Sequence, residues 1–263
     1  MAIRIGCGSW ADAEYVGVLY PKGLPPAERL RVYATRFDRV ELNNTYYSTP
    51  SPAQMIVWAK QTPKGFQFDF KLHRAFSQKP ATTSATLIAK LREAVKPLQK
   101  SGKLGCFLLT LAPTFGPDRH KLEELDGLLP NLPQGVPLAV ELRDRGWVDG
   151  KAKAATLAFF RERQLVWVAL DLPKLKLPAL LPPMDEVTNP KLAYVRLHGR
   201  NPGWAKAKSA AEQHHWDYSS KELKEIATRI KKLTAHAAQV HVSMNNHAED
   251  FAPKAALALR EMV

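Results

Sequence analysis

Five short segments of this chain alternate polar and apolar side chains with period two. In KLAYVRLHG (191–199), Tyr194, Arg196 and His198 fall on one side, and Val195 and Leu197 on the other. RVELNN sets Glu41 and Asn43 against Val40 and Leu42, FQFDFK sets Gln67, Asp69 and Lys71 against Phe66, Phe68 and Phe70, and LAVELR sets Glu141 and Arg143 against Val140 and Leu142. VHVSMNN interleaves His241, Ser243 and Asn245 with Val240, Val242 and Met244. Successive side chains of a strand point to opposite faces. Each segment therefore has one polar and one apolar wall, and helices covering the apolar walls would leave the polar walls facing one another.

Reading the whole chain this way predicts eight strands, over 3–8, 39–43, 66–71, 104–109, 137–143, 165–170, 191–199 and 240–244. Helical spacing predicts helices over 25–37, 52–61, 83–99, 117–129, 151–163 and 221–234, and a last one from about 248. Ser51-Pro52 reads as an N-cap followed by a first-turn proline. Pro97 is expected to end or kink its helix. The proline-rich 172–190 is expected to be irregular, and a long loop follows the seventh strand. Eight strands alternating with mostly helical crossovers suit an α/β fold, a single, slightly irregular (β/α)8 TIM-type barrel over 1–263. An open doubly wound sheet is the alternative, but such a sheet is covered on both faces and has no polar interior.

Composition is ordinary for a globular chain, with 45% hydrophobic and 24% charged residues. No segment approaches the roughly 18 uninterrupted apolar residues of a membrane span, and the N-terminus lacks the pattern of a secretory signal. Cys7 and Cys106 form no disulfide framework or metal spacing, so a reduced, cytoplasmic protein is expected. The net charge of +13 favours association with polyanions, though solvated lysine-rich helices such as KELKEIATRIKKL account for part of it.

Barrels place their sites at the carboxyl ends of the strands. Those ends carry Glu41, Asn43, Lys71, Glu141, Arg143, Asp171, Arg196, His198, Asn245 and Asn246, with Trp10, Tyr46, Tyr47, Trp147 and Trp204 just beyond strand ends. Glu41 and Glu141 are candidate acid/base groups with His198 assisting; the plainer reading ties the glutamates to Arg143, Arg196 or Lys71 in a buried network. Lys71, Arg143 and Arg196 are candidate clamps for a phosphate or carboxylate. Glu41, Glu141, Asp171 and His198 are chemically fit to bind a metal, but three nearby cations oppose one and no metal is expected. The aromatics would stack on a ligand or pack as a collar.

These segments together resemble the YecE-like family, the domain of unknown function 72. The resemblance rests on GCGSW with LYPKGLP, YATRFDRVELNNTYYSTPS, GFQFDFK, KLGCFLLTLAPTF, AVELRDRGW, YVRLHGR and VHVSMNNH, in order along nearly the whole chain. It implies a (β/α)8 barrel and a residue set of Glu41, Asn43, Lys71, Glu141, Arg143, Trp147, Asp171, Arg196, His198, Gly199, Asn245 and Asn246. It implies no established activity or cofactor. Thr110 and Met244 depart from the usual glutamine and aromatic, reshaping one wall of the pocket.

Three functions follow as expectations. The first is an enzyme using Glu41, Glu141 and His198 on a small anionic or polyhydroxylated substrate held by Asn43, Lys71, Arg143, Trp147, Asp171, Arg196, Asn245 and Asn246. The second is a nucleic-acid-binding or nuclease-like barrel, similar in architecture to the endonuclease IV group, using its charge with Arg200, Trp204, Lys206 and Lys208. The third is a non-catalytic ligand-binding barrel.

Overall fold

The computed structural model describes residues 2–80, 84–246 and 248–263. Eight parallel strands form one sheet: β1 (Ala2–Cys7), β2 (Arg39–Leu42), β3 (Gln67–Lys71), β4 (Leu104–Thr110), β5 (Leu138–Glu141), β6 (Val166–Asp171), β7 (Leu192–Leu197) and β8 (Gln239–Met244). Their order is β1-β8-β7-β6-β5-β4-β3-β2, a nearly closed (β/α)8 barrel. The helices are α1 (Arg29–Arg36), α2 (Pro52–Gln61), α3 (Ala75–Gln78), α4 (Ala85–Lys100), α5 (Ala152–Glu162), α6 (Ala210–Gln213), α7 (Ser220–Leu233) and α8 (Phe251–Arg260).

The predicted cap of α2 forms. Ser51 Oγ accepts from Gln54 N at 3.2 Å, with Pro52 in the first turn of α2. Ser84 caps α4, and Ser219 with Glu222 makes a capping box on α7. Thr83, where the α4 helix was expected to begin, lies outside the described residues. Pro97 does not end α4, which runs on to Lys100; Ser101 then closes its C-terminus with bonds to the Pro97 carbonyl.

The helix expected over 117–129 is instead two 3-10 segments, Leu122–Gly127 and Leu129–Asn131. Leu122, Leu125 and Leu128 are all buried and recur every three residues, the spacing at which a 3-10 helix stacks its side chains. Gly127 and Pro130 discourage an α-helix there.

β1 and β2 close the barrel through a side chain. Tyr33, on α1, accepts from Cys7 N at 2.7 Å and donates to the Arg39 carbonyl at 3.0 Å. Asn43 N adds a bond to the Gly8 carbonyl at 3.3 Å. Gly6 makes this approach sterically feasible, because a Cβ there would lie 2.2 Å from the Arg39 carbonyl oxygen.

Register decides what faces inward. Gly6 pairs with Ser243, Glu41 with Asp69, Thr110 with Glu141, Tyr194 with Val168 and His241, and Arg196 with Leu170 and Ser243. The polar wall of each alternating strand thus lines the lumen. β6 contributes Val168 and Leu170 as an apolar strip. The outward faces, including Val40, Leu42, Phe68, Phe70, Val140, Val195, Leu197, Val240 and Val242, join the hydrophobic core.

Candidate active site

The lumen holds two layers of charge. In the lower one, the buried Arg39 donates through Nε to Asp69 Oδ2 at 2.9 Å and through Nη2 to the same oxygen, and its Nη1 bonds the Val242 carbonyl at 2.5 Å. His241 Nδ1 lies 3.0 Å from Asp69 Oδ2. Burial alone would raise the Asp69 carboxyl, but Arg39 and His241 hold it well below its ordinary value. Arg39 was not among the expected site residues, although it stands two positions before Glu41 and shares its phase.

Tyr194 joins the layers. Its hydroxyl accepts from Arg39 Nη2 at 2.8 Å and donates to Glu41 Oε2 at 2.9 Å.

Arg196 centres the upper layer. Its Nη2 and Nε meet Glu41 Oε1 and Oε2 at 2.6 and 3.1 Å, its Nη1 bonds Glu141 Oε2, and its Nη2 reaches Asn245 Oδ1 at 3.2 Å. Glu141 Oε1 accepts from Arg143 Nε at 2.6 Å. Burial would raise both glutamates, yet the arginines outweigh it. Glu41 is brought down to about 2, and Glu141 well below its ordinary value. Both carboxylates are therefore ionised at neutral pH, with their oxygens engaged by arginine.

His198 is buried above them. Its Nε2 lies 3.4 Å from Arg196 Nη1 and 3.6 Å from Glu141 Oε2, and its Nδ1 finds no hydrogen-bond partner among the described residues. Burial pulls this imidazole down to about 4 against the opposing pull of Glu141, so it is neutral at pH 7.

The rim is Asn43, Lys71 and Arg143, all half-buried. Asn43 Nδ2 donates to Asn245 Oδ1 at 3.0 Å, and Lys71 Nζ donates to Asn43 Oδ1 at 3.2 Å. Lys71 also lies 4.8 Å from the centre of the Tyr46 ring. Burial and the guanidiniums of Arg196 and Arg143 together lower the Lys71 ammonium to about 7, despite Glu41 and Glu141. Ser243 Oγ is a further buried polar atom without a partner among the described residues.

The structure brings Glu41, Asn43, Lys71, Glu141, Arg143, Arg196, His198 and Asn245 into one connected set, and three expected residues stand apart from it. Asp171 faces the outer layer, where its carboxylate takes Arg200 in two 2.9 Å bonds, Arg229 Nη1 at 2.8 Å and the Tyr218 hydroxyl at 2.9 Å. Trp147 is buried against Phe115, donating its Nε1 to the Phe115 carbonyl at 2.7 Å. Asn246 holds the long loop by donating Nδ2 to the Trp216 carbonyl at 2.9 Å, while its Oδ1 has no partner among the described residues. His247, the last residue of the VHVSMNNH segment, lies outside the described residues.

The loop after β7 is anchored more firmly than a solvated loop. Gly199 has a positive φ of 92°, and its N–H donates to the Tyr218 hydroxyl at 2.9 Å. His214 lies with its ring 4.9 Å from His198 and 5.1 Å from Trp204. Arg200, expected to be available to nucleic acid, is bound to Asp171 and Glu225, whereas Lys206 and Lys208 are exposed. Among the other aromatics, Trp10 packs edge-on against Trp58 at 4.8 Å, and Tyr47 stands 70% exposed beside Tyr46.

The metal-ligand set considered from the sequence is not assembled, because Asp171 faces away from Glu41, Glu141 and His198. Among the described residues, Asp69, Cys106 and His241 do bring donor atoms within 4.8 Å of one another. The Arg39 guanidinium on Asp69 opposes a cation there. Cys7 and Cys106 are free and buried. Among the described residues, no helix is long and apolar enough to cross a membrane.

A family model described as "Protein of unknown function DUF72" matches residues 4–263. The chain is 24% identical to the UPF0759 protein YunF of Bacillus subtilis (strain 168), covering 93% of this chain and 89% of that one. It superposes with a TM-score of 0.87 on a DUF72 family protein from Thermotoga maritima MSB8, at 29% identity, covering 100% of this chain and 99% of that one. A DUF72 family protein from Enterococcus faecalis V583 also gives 0.87, at 28% identity, covering 99% of this chain and 94% of that one.

Proposed function

The chain belongs to the DUF72 family, which brings a shared barrel and no assigned reaction, and from that premise we propose an enzyme that binds a small anionic, oxygen-rich substrate at the barrel mouth and moves protons there. The observation that carries this reading is the charge count of the mouth. Arg143 and Arg196 balance Glu41 and Glu141, His198 is neutral, and Lys71 is partly protonated near neutrality, so the mouth carries a partial positive excess. A phosphate or carboxylate would cancel that excess, with the half-exposed Arg143 as its natural partner.

In this reading the proton-transfer role passes from Glu41 and Glu141 to Lys71, with His198, a candidate from the sequence, still assisting. Glu41 and Glu141 serve best as fixed negative charges that orient Arg196 and Arg143. Lys71 sits near neutrality, where an amine can take up a proton or attack a substrate at cellular pH. His198 offers its unpartnered Nδ1 to a substrate hydroxyl or carbonyl.

The test is thermal stabilisation by a panel of small anions: inorganic phosphate, 2-oxo acids, sugar phosphates and hydroxy acids. Stabilisation by at least one, lost in Arg143→Met, supports the reading. A flat response to the whole panel, together with duplex DNA binding that falls steeply with salt, would replace it with the nucleic-acid reading suggested by the net charge.

A further inference from the structure

We propose that Lys71 is a nucleophile that forms an imine with a small carbonyl substrate bearing a carboxylate or phosphate. This deepens the reading above and rests on it. Each glutamate of the mouth is already engaged by arginine, Glu41 by Arg196 and Glu141 by Arg196 and Arg143. Among the described residues no carboxylate lies within 4.0 Å of Lys71 Nζ. Burial, with Arg196 and Arg143, outweighs Glu41 and Glu141, which favour the ammonium only from beyond ion-pair distance. Among the described residues the amine's side-chain hydrogen bond is to a neutral amide oxygen, Asn43 Oδ1, and the Arg196 and Arg143 guanidiniums act on it electrostatically.

Lysines become nucleophiles when desolvated beside other cations, because both effects favour the free amine. Lys71 meets these conditions at the carboxyl end of β3, half-buried and open to the mouth. A lysine kept only for structure would more naturally find an anion. Here the arrangement commits the glutamate oxygens to arginines and leaves the amine hydrogen-bonded to Asn43 Oδ1 with no ion pair among the described residues.

The step balances without any added oxidant or reductant. The Nζ lone pair attacks the carbonyl carbon and the C=O π pair moves to oxygen. One amine proton passes to that oxygen, giving a carbinolamine. The second amine proton leaves with the hydroxyl as water, and the C=N bond forms. Protonation of the imine nitrogen gives an iminium, and the Tyr46 ring, 4.8 Å from Nζ, presents an electron-rich surface to that cation. Arg143 would hold the carboxylate or phosphate, and the iminium would withdraw electrons from the neighbouring carbon–carbon or carbon–hydrogen bond.

The experiment is borohydride trapping on the full chain near neutral pH with three probes: glyoxylate, pyruvate and glycolaldehyde phosphate. Peptide mass mapping of the wild-type protein then locates the adduct. A trapped imine adds the mass of the probe less one oxygen atom. Labelling of Lys71 should exceed that of surface lysines on the order of a hundredfold with at least one probe, because ordinary lysines are almost fully protonated at this pH. Lys71→Arg should abolish this adduct, and the labelling rate should rise with pH through a midpoint near 7. Mapping the wild-type adduct keeps the result decisive even if the variant does not fold. Adducts spread evenly over surface lysines, or none at Lys71 with any probe, would overturn the proposal. If the probes still stabilise the protein thermally while Lys71 stays unlabelled, only the imine fails; if no anion in the earlier panel stabilises it, the underlying reading fails.

Discussion

Glu41 and Arg196 meet side-on inside the barrel, Oε1 to Nη2 at 2.6 Å and Oε2 to Nε at 3.1 Å, with both side chains buried. Removing one partner of such a pair costs more than the pair contributes net, because the remaining charge stays buried. Arg196→Met would leave Glu41 with only the Tyr194 hydroxyl. A loss of about 3–5 kcal/mol is expected in urea unfolding. Glu41→Gln, which keeps the shape and removes the charge, should lose less.

The same pair predicts an acid limb. Glu41 is lowered from an ordinary 4.5 to about 2. Its contribution is complete above about 4.5 and lost as pH falls toward 2. His198, lowered from 6.5 to about 4, acts over the adjoining window: the unfolded chain binds a proton there that the folded one refuses, so stability rises from pH 4 to 6.5. Glu41→Gln should flatten the lower limb and His198→Gln the upper one, as read by unfolding free energy against pH.

Lys71 carries the opposite burden on the alkaline side. Its folded value of about 7 lies below the ordinary 10.5, so the unfolded state holds the extra proton between these values. Stability from this group therefore increases as pH rises from 7 to 10.5. The advantage of Lys71→Met over wild type should be largest below pH 7 and shrink above it. An advantage constant with pH would contradict the depressed amine.

The Tyr33 hydroxyl bridges the seam between β1 and β2 beside the Asn43–Gly8 bond. Tyr33→Phe strips a partner from Cys7 N and from the Arg39 carbonyl, both buried. About 1–3 kcal/mol of destabilisation is expected, with faster hydrogen exchange at the Cys7 amide than in β7 and β8.

Asp171→Asn separates support from binding. It weakens the contacts to Arg200, Arg229 and Tyr218, so protection of the loop after β7 should fall. The affinity of any anion that stabilises the wild type should change less than twofold, on the order of a surface substitution's effect. A loss like that of Arg143→Met would return Asp171 to the substrate's side.

The alternating strands made their own orientation readable: in β2, β3, β5, β7 and β8 the polar residues could face only one way without wasting an apolar wall. β6 reads VWVAL before Asp171, with no alternation to distinguish inside from outside, and Asp171 falls on the outer face. Arg39 was legible by phase from Glu41 in the strand predicted over 39–43, but it stands at the amino end of that strand, away from the carboxyl ends where site residues were sought. Tyr33 was not. A tyrosine at core spacing on a helix looks like packing, and its bond across the seam depends on tertiary closure. The engagement of both glutamates by arginine was one of two readings that composition allowed, and only distances separate them.

The Arg39, Asp69, His241 and Tyr194 layer lies wholly out of solvent beneath the mouth. The barrel floor beneath the mouth is thus closed by buried side chains. A substrate bound as proposed would enter and leave on the same open side, so accumulated product of the proposed reaction should compete directly with fresh substrate.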